Sequence, residues 1–427
     1  MEIARSTRRS WLEAQELAAL AEVLRSLGRR EEAEAIIPRA LDAARDAGLQ
    51  YHEARMMCLS GALASDRGDL ARARADHDEG LRISQEARDL EGEAYARTGL
   101  TETGLCQGPF DRAIEDGVRA RRLWLRLGHR PMADSVAQTL GHLRLLMGDV
   151  TGAGSLLDVS LKGARELGMR RDEPFPLVGL CLVAAMAGDL GRALADVDVA
   201  VETADSQGEV KGEIASRLCR ALLLQELGAP EGAVGDLDAL DDLAPDASYL
   251  RPIRLSARAW LQLAEGERET ARATFARARI GAEGLLLSRI GVGRFEIIAW
   301  SAAGDRVAAA DAAAWVLEGP VDACPGATAL AGCALARADR EGASAGSVLE
   351  QARRANDKTL LWRACLLASD EARKMGNAEV ATTLREEAEA IVQALADSLV
   401  DAKLRSAYLA DAKPSFSEVG SGDPEIR

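Results

Sequence analysis

The sequence has few of the residues on which metal sites and catalytic sites depend. Only 4 of its 427 residues are histidine, and none belongs to an HExxH motif or pairs with cysteine at ligand spacing. No glycine-rich loop ends in Gly-Lys-Ser or Gly-Lys-Thr, which excludes a phosphate-binding P-loop. We therefore expect no metal, no cofactor and no enzymatic activity.

Basic charge is also scarce. The chain has 53 Lys and Arg residues against 68 Asp and Glu residues, which gives a formal net charge of −15. Binding to nucleic acid requires a basic face that neutralises phosphates. Direct binding to nucleic acid is therefore not expected.

Long apolar segments are absent as well. The longest uncharged run, residues 174–188, is too short to span a bilayer and contains two prolines. The basic N-terminus is followed by acidic residues instead of an apolar signal segment. The seven cysteines are scattered without a C-x-x-C motif, as in a reduced compartment. We expect a cytoplasmic chain without membrane contact.

A repeat runs through most of the chain, in steps of 40 residues that shorten to 36 near the end. Each repeat has a turn position, and an alanine follows five residues after it in all ten repeats. The turn positions are Gly28, Gly68, Gly108, Gly148, Gly188, Gly228, Gly266, Gly304, Arg340 and Gly376. The alanines are Ala33, Ala73, Ala113, Ala153, Ala193, Ala233, Ala271, Ala309, Ala345 and Ala381. Self-similarity at such a period is typical of stacked repeat proteins.

Each repeat predicts two antiparallel helices joined at the turn position. Apolar residues before the first turn, such as Leu17, Leu20 and Leu24, recur as one face of a helix. Glycine at the turn ends that helix, and an aspartate after it, such as Asp69, caps the next helix. The alanine is small enough for the second helix to cross closely over the first. Because each hairpin has an apolar flank that needs a neighbour, we expect an all-α solenoid.

The glycine at the turn, the later alanine and the small residue further along the second helix resemble the tetratricopeptide repeat. The resemblance covers about residues 11–392 and implies ten hairpins in a right-handed superhelix, after a polar lead-in at residues 1–10. A capping helix is expected at residues 393–413 and a disordered tail at residues 414–427. The segment from Ser398 to Leu409 also resembles the end of the repeat region in bacterial class III cyclase and STAND-type signalling proteins.

The resemblance implies a non-catalytic scaffold that binds a protein or peptide in a groove lined by the first helices. If the positions of the family transfer, the groove residues fall thirteen, ten and six residues before each turn position. The candidates are Arg55, Tyr95, Glu102, Gln138, His142, Phe175, Val178, Leu182, Leu218, Leu222 and Trp260.

Two alternatives stay open. Large apolar residues at helical spacing are also explained as core contacts between helices. The chain is alternatively explained as the ligand-sensing module of a bacterial signal-transduction ATPase, cyclase or transcription regulator whose effector domain lies elsewhere. The sequence identifies neither the partner nor the oligomeric state.

Overall fold

The structure, a computed structural model, describes residues 2–26, 29–240, 242–243, 249–338, 340 and 344–417. In these residues the chain forms 21 α-helices and one short 3₁₀ helix, Arg170–Asp172, and no β-strand. The helices are α1 (Glu2–Ser26), α2 (Arg30–Asp46), α3 (Gln50–Asp66), α4 (Leu70–Ala87), α5 (Leu90–Gln107), α6 (Phe110–Arg126), α7 (Arg130–Leu146), α8 (Val150–Glu166), α9 (Pro174–Ala187), α10 (Leu190–Gln207), α11 (Val210–Glu226), α12 (Pro230–Ala239), α13 (Leu250–Ala264), α14 (Arg268–Gly281), α15 (Leu286–Ala302), α16 (Arg306–Leu317), α17 (Pro325–Arg337), α18 (Ala345–Ala355), α19 (Lys358–Lys374), α20 (Ala378–Asp397) and α21 (Ala402–Ser417).

Successive helices form ten hairpins, from α1 and α2 to α19 and α20, and α21 follows the tenth. The ten repeat alanines all lie on the second helices, and each has an exposed fraction of 9% or less. A larger side chain at these positions would separate the two helices of a hairpin. The all-α prediction and the position of the alanines are therefore confirmed.

In several hairpins the described turn is built as the repeat predicts. Gly188, between α9 and α10, has a φ of 94°, a left-handed conformation that favours glycine because it lacks a Cβ. Asp189 follows and accepts a hydrogen bond from the backbone N–H of Arg192 at 3.0 Å, which caps α10. The same cap recurs at Asp69, Asp149 and Asp305. The first turn position, Gly28, lies outside the described residues.

The two ends differ from the expected boundaries. Helix α1 begins at Glu2, so the expected lead-in at residues 1–10 belongs to the first helix. The expected cap at residues 393–413 is divided between the end of α20 and α21, which continues to Ser417. The expected disordered tail therefore begins inside α21, and its remainder, residues 418–427, lies outside the described residues.

The chain divides into two compact units, residues 1–140 and 141–427. Unit 1 contains α1 to α6 and the first part of α7, and its core forms between the hairpins. Ala33 and Ile37 of α2 pack with Leu24 of α1 and with Met56 and Leu63 of α3. Helix α2 thus contacts both its own hairpin partner and the first helix of the next hairpin, and α4 does the same with α3 and α5.

Within unit 2, the last helices pack back against much earlier ones. Trp362 of α19, Leu395 of α20 and Tyr408 of α21 share one buried apolar cluster with Leu190 of α10 and Leu223 of α11. Residues one third to one half of the chain apart in sequence therefore form one core. The repeat pattern predicts contacts between neighbouring hairpins only, so this return is a finding of the structure.

Polar contacts join the same helices of unit 2. The backbone N–H of Leu190, at the start of α10, donates to the hydroxyl of Ser398 at 3.0 Å. Arg363 of α19 donates to the carboxylate of Glu226, at the end of α11, at 3.1 Å. None of the described helices is both long and apolar enough to cross a lipid bilayer.

Candidate functional site

A pocket of about 300 Å³ in unit 1 brings together three of the predicted groove residues. Arg55 of α3 and both Tyr95 and Glu102 of α5 line it, with Glu22 of α1 and Met132 of α7. All five residues lie on the first helices of their hairpins. We call this the unit 1 pocket, and its other lining residues are Arg25, Cys58, Leu59, Ala62, His77, Thr98 and Gly99.

Arg55 is fixed at the wall of the unit 1 pocket. Its guanidinium donates to the carboxylate of Glu22 at 2.8 Å and to the hydroxyl of Tyr51 at 2.8 Å. The guanidinium carbon lies 6.0 Å from the centroid of the Tyr95 ring, within the range of a cation–π contact. Burial opposes the positive charge, but the hydrogen bond and charge of Glu22 outweigh it, so the pKa of Arg55 is raised. Arg55 is therefore a charged group with a defined position.

His77 reaches the unit 1 pocket from α4, a second helix. Its imidazole passes between α3 and α5, where Gly61 and Gly99 leave room for it: a Cβ on Gly99 would lie 2.2 Å from the ring. The residue is only 3% exposed, and its Nδ1 has no hydrogen-bond partner among the described residues. Desolvation lowers the pKa of His77 to about 4, so the imidazole is neutral at pH 7. The pocket thus contains a neutral imidazole with unused hydrogen-bonding capacity.

His77 is not among the groove residues predicted from the sequence, although the repeat contains a signal for it. His77 stands four residues after the repeat alanine of its hairpin. Other hairpins have buried apolar residues there, namely Ile37, Leu157, Val197, Leu237 and Phe275. A histidine at a position that otherwise belongs to the core indicates a local function or a local difference in packing.

The other predicted groove residues lie outside the unit 1 pocket. Gln138 and His142 are half-buried on α7, and Phe175 and Val178 are half-buried on α9. Leu182, also on α9, lines a separate cavity within unit 2.

Leu218 and Leu222 of α11 and Trp260 of α13 pack in the interior of unit 2. Leu218 is 5% and Trp260 is 6% exposed, and Leu222 contacts the same buried cluster. The Trp260 ring meets Phe295 edge-on, with 5.8 Å between ring centroids. For these three residues the structure favours core packing, and their contribution to binding stays a prediction.

The cavity that Leu182 lines has a volume of about 130 Å³ and lies inside unit 2. The first helices α7, α9, α15, α17 and α19 contribute to its wall, together with the end of α16. We call it the unit 2 cavity. Its polar lining residues include Arg294 and Asp357, and its large apolar ones are Leu145, Leu146, Leu182, Met186, Ile290, Ile297, Val316, Leu330 and Leu360.

Among the described residues, no group of three or more His, Cys, Asp or Glu side chains is arranged to hold a metal ion. All seven cysteines are buried free thiols. Burial raises the pKa of Cys324, at the unit 2 cavity, to about 12, which keeps this thiol protonated at neutral pH.

No protein-family model matches the chain, and no curated protein sequence matches it. Solved structures do match. A Rap protein complexed with competence and sporulation factor has a TM-score of 0.56 and 12% identity, over 92% of this chain and 99% of that chain. The apo form of RapI has a TM-score of 0.45 and 9% identity, over 94% and 100% of the two chains. A tetratricopeptide repeat protein from Parabacteroides merdae has a TM-score of 0.42 and 16% identity, over 65% and 99%.

The similarity to the Rap structure shows the fold. The chain is an all-α solenoid of tetratricopeptide-like hairpins, as the repeat glycines and alanines predicted. The resemblance of the C-terminal segment to cyclase and STAND-type chains stays a prediction.

Proposed function

From this fold and the unit 1 pocket, we propose that the chain is a non-catalytic scaffold that binds a peptide segment of a partner protein. The observation that carries the proposal is the convergence of Arg55, Tyr95 and Glu102 on one pocket formed by successive first helices. Stacked hairpins present their first helices as one extended surface, which suits a helical or extended peptide.

The chemistry of the pocket fits part of a peptide. The four charged lining residues give no net charge, because the positive charges of Arg25 and Arg55 equal the negative charges of Glu22 and Glu102. Leu59, Ala62 and Met132 supply apolar surface, and His77 and Tyr95 supply neutral polar groups. A volume of about 300 Å³ is at the small end for ligand sites, so the pocket accommodates one or two side chains of a longer segment.

The character of the partner follows from charge as well. A net charge of −15 disfavours nucleic acid and anionic membrane surfaces as direct partners. The Rap protein of similar fold was solved in complex with competence and sporulation factor, which supports a binding role for this fold. We therefore propose a protein partner, recognised through an exposed or unstructured segment.

The proposal is tested by selecting peptides from a random phage-displayed library on the full chain, and by measuring their affinities by fluorescence anisotropy. The Arg55→Met variant removes the charge and keeps most of the side-chain volume. It is expected to weaken the selected peptides by about tenfold or more, because hydrogen bonds to charged groups contribute about 1.5–3 kcal/mol. Tyr95→Leu is expected to weaken them in the same way.

The matched control is Arg39→Met. Arg39 also pairs with a glutamate of α1, Glu13 at 2.8 Å, but on the exposed surface away from the unit 1 pocket. Its variant is expected to bind like the wild type. Thermal melting by circular dichroism establishes that each variant is folded, and Glu102→Gln replaces Arg55→Met if the latter is not. If no peptide is selected, or if all variants bind equally, the proposed site is wrong.

A further inference from the structure

The unit 2 cavity contains an arginine, Arg294, whose Nε makes no hydrogen bond among the described residues. Its wall is mainly apolar, with Leu182 of α9 and both Ile290 and Ile297 of α15 among the lining residues. Arg294 lies on α15 between the two isoleucines and also lines the cavity. A cation at an apolar wall is unfavourable unless an anion or hydrogen-bond acceptor meets it.

The Nε of Arg294 has no hydrogen-bond partner in the described part of the chain and is shielded from solvent. Two carboxylates lie nearby: the charge of Glu226 interacts with that of Arg294, and Asp357 lines the same cavity. Glu226 accepts from Arg363 at 3.1 Å, and Asp357 accepts from the backbone N–H of Thr359 at 2.9 Å, where it caps α19. The Nε–H of Arg294 is therefore available to a ligand.

The dimensions of the cavity limit that ligand. An apolar cavity of about 150 Å³ is known to hold one benzene molecule. The unit 2 cavity, of about 130 Å³, is of comparable size. A guanidinium recognises a carboxylate best, because two parallel N–H groups match its two oxygens.

We propose that the unit 2 cavity binds a small apolar monocarboxylate, with its carboxylate on Arg294 and its hydrocarbon body against Leu182, Ile290 and Ile297. The body has about the size of a phenyl ring or a short alkyl chain. A free organic acid and the C-terminal residue of an apolar peptide share this chemistry. The site lies within unit 2 and does not depend on peptide binding at the unit 1 pocket.

Isothermal titration calorimetry on the full chain tests this proposal, with benzoate and hexanoate as probes and benzyl alcohol as the uncharged comparison. Both acids are expected to bind the wild type, each with one site per chain. Arg294→Met is expected to weaken them by about tenfold or more and to leave benzyl alcohol unchanged. Arg277→Met is the control. Arg277 lies exposed on α14, so its replacement makes the same chemical change outside the cavity. Equal affinities in both variants would overturn the proposal.

A second variant locates the ligand. Ala327 lines the cavity, and Ala327→Phe is expected to fill it and to abolish acid binding while the chain stays folded by circular dichroism. If that variant does not fold, Ile297→Ala serves instead, because a larger cavity should admit acids with longer alkyl chains. Unchanged binding of benzoate to Ala327→Phe, or unchanged chain-length preference in Ile297→Ala, would place the acid elsewhere and refute the site.

Peptide probes distinguish the two sources of carboxylate. An apolar tripeptide with a free C-terminus and its amidated form are titrated in the same way. Binding of the free form alone, lost in Arg294→Met, assigns the site to a peptide C-terminus, while binding of benzoate and hexanoate alone assigns it to a free acid. If none of these probes binds, the proposal is wrong. Arg55→Met is expected to bind the acids like the wild type. A negative result for the unit 2 cavity can therefore be distinguished from a negative result for peptide binding at the unit 1 pocket.

Discussion

The burial of His77 makes a quantitative prediction about stability in acid. In the unfolded chain a histidine has a pKa of 6.5, whereas in the folded chain desolvation lowers the pKa of His77 to about 4. As the pH falls, the unfolded state takes up this proton before the folded state does. The contribution of neutral His77 to the free energy of unfolding is therefore fully present above pH 6.5 and is lost as the pH falls towards 4. The full loss is about 3 kcal/mol, and about 2 kcal/mol of it occurs between pH 7 and pH 5.

Urea denaturation of the wild type and of His77→Leu at both pH values measures this loss. Leucine suits the position, since Leu157 and Leu237 occupy it in other hairpins. Carboxylates titrate in both proteins and cancel in the comparison, so the wild type should lose about 2 kcal/mol more than the variant. His129→Leu, at an exposed histidine in the same unit, is the control and should behave like the wild type.

A spectroscopic measurement checks the cause directly. With only 4 histidines in the chain, the imidazoles can be labelled with carbon-13 and followed by NMR between pH 8 and pH 5. The signal missing from His77→Leu identifies His77, and it should hardly move over this range. If it titrates near pH 6.5, or if the variant loses as much stability as the wild type, the imidazole is not desolvated as described.

Three further comparisons of variants test the packing. Ala193→Trp should destabilise by about 3 kcal/mol or more by forcing α9 and α10 apart, while Ala195→Glu, at an exposed position on the same helix, should change the urea midpoint little. Trp260→Ser together with Leu182→Ser should lower the melting temperature by many degrees, because Trp260 is 6% exposed, and an unchanged melting temperature would restore Trp260 as a groove residue. Tyr408→Ala should cost about 3–5 kcal/mol in calorimetric unfolding of the full chain, and a negligible loss would mean that α21 does not belong to the core.

The hairpins could be predicted because their determinants are local. A glycine that reverses the chain and an alanine that permits a close crossing act within a few residues of each other, so their spacing recurs in the sequence. The cap that Asp189 forms on α10 depends on the same short distance. The packing of α19, α20 and α21 against α10 and α11 has no such local signature in the sequence. It depends on the sum of small rotations between many successive hairpins.

The structure brings only some of the predicted groove residues together in one pocket, for a physical reason. Arg55, Tyr95 and Glu102 are polar, so they remain at the pocket. Trp260 occupies the same repeat position as Glu102, and Leu218 lies at the position ten residues before its turn. Both are apolar, and they pack into the interior instead. His77 was missed because the prediction considered first helices only, whereas its side chain passes between two of them through the space left by glycines.

The return of α21 to the neighbourhood of α11 fixes how many hairpins unit 2 can have. In an open array, gain or loss of one hairpin changes the length and leaves the remaining interfaces intact. In unit 2 the hydroxyl of Ser398 must reach the N–H of Leu190, and Arg363 must reach Glu226. Deletion or duplication of a single hairpin between them would displace both contacts by a whole repeat. The number of repeats in this part of the chain is therefore set by closure and cannot drift during evolution as it can in an open array.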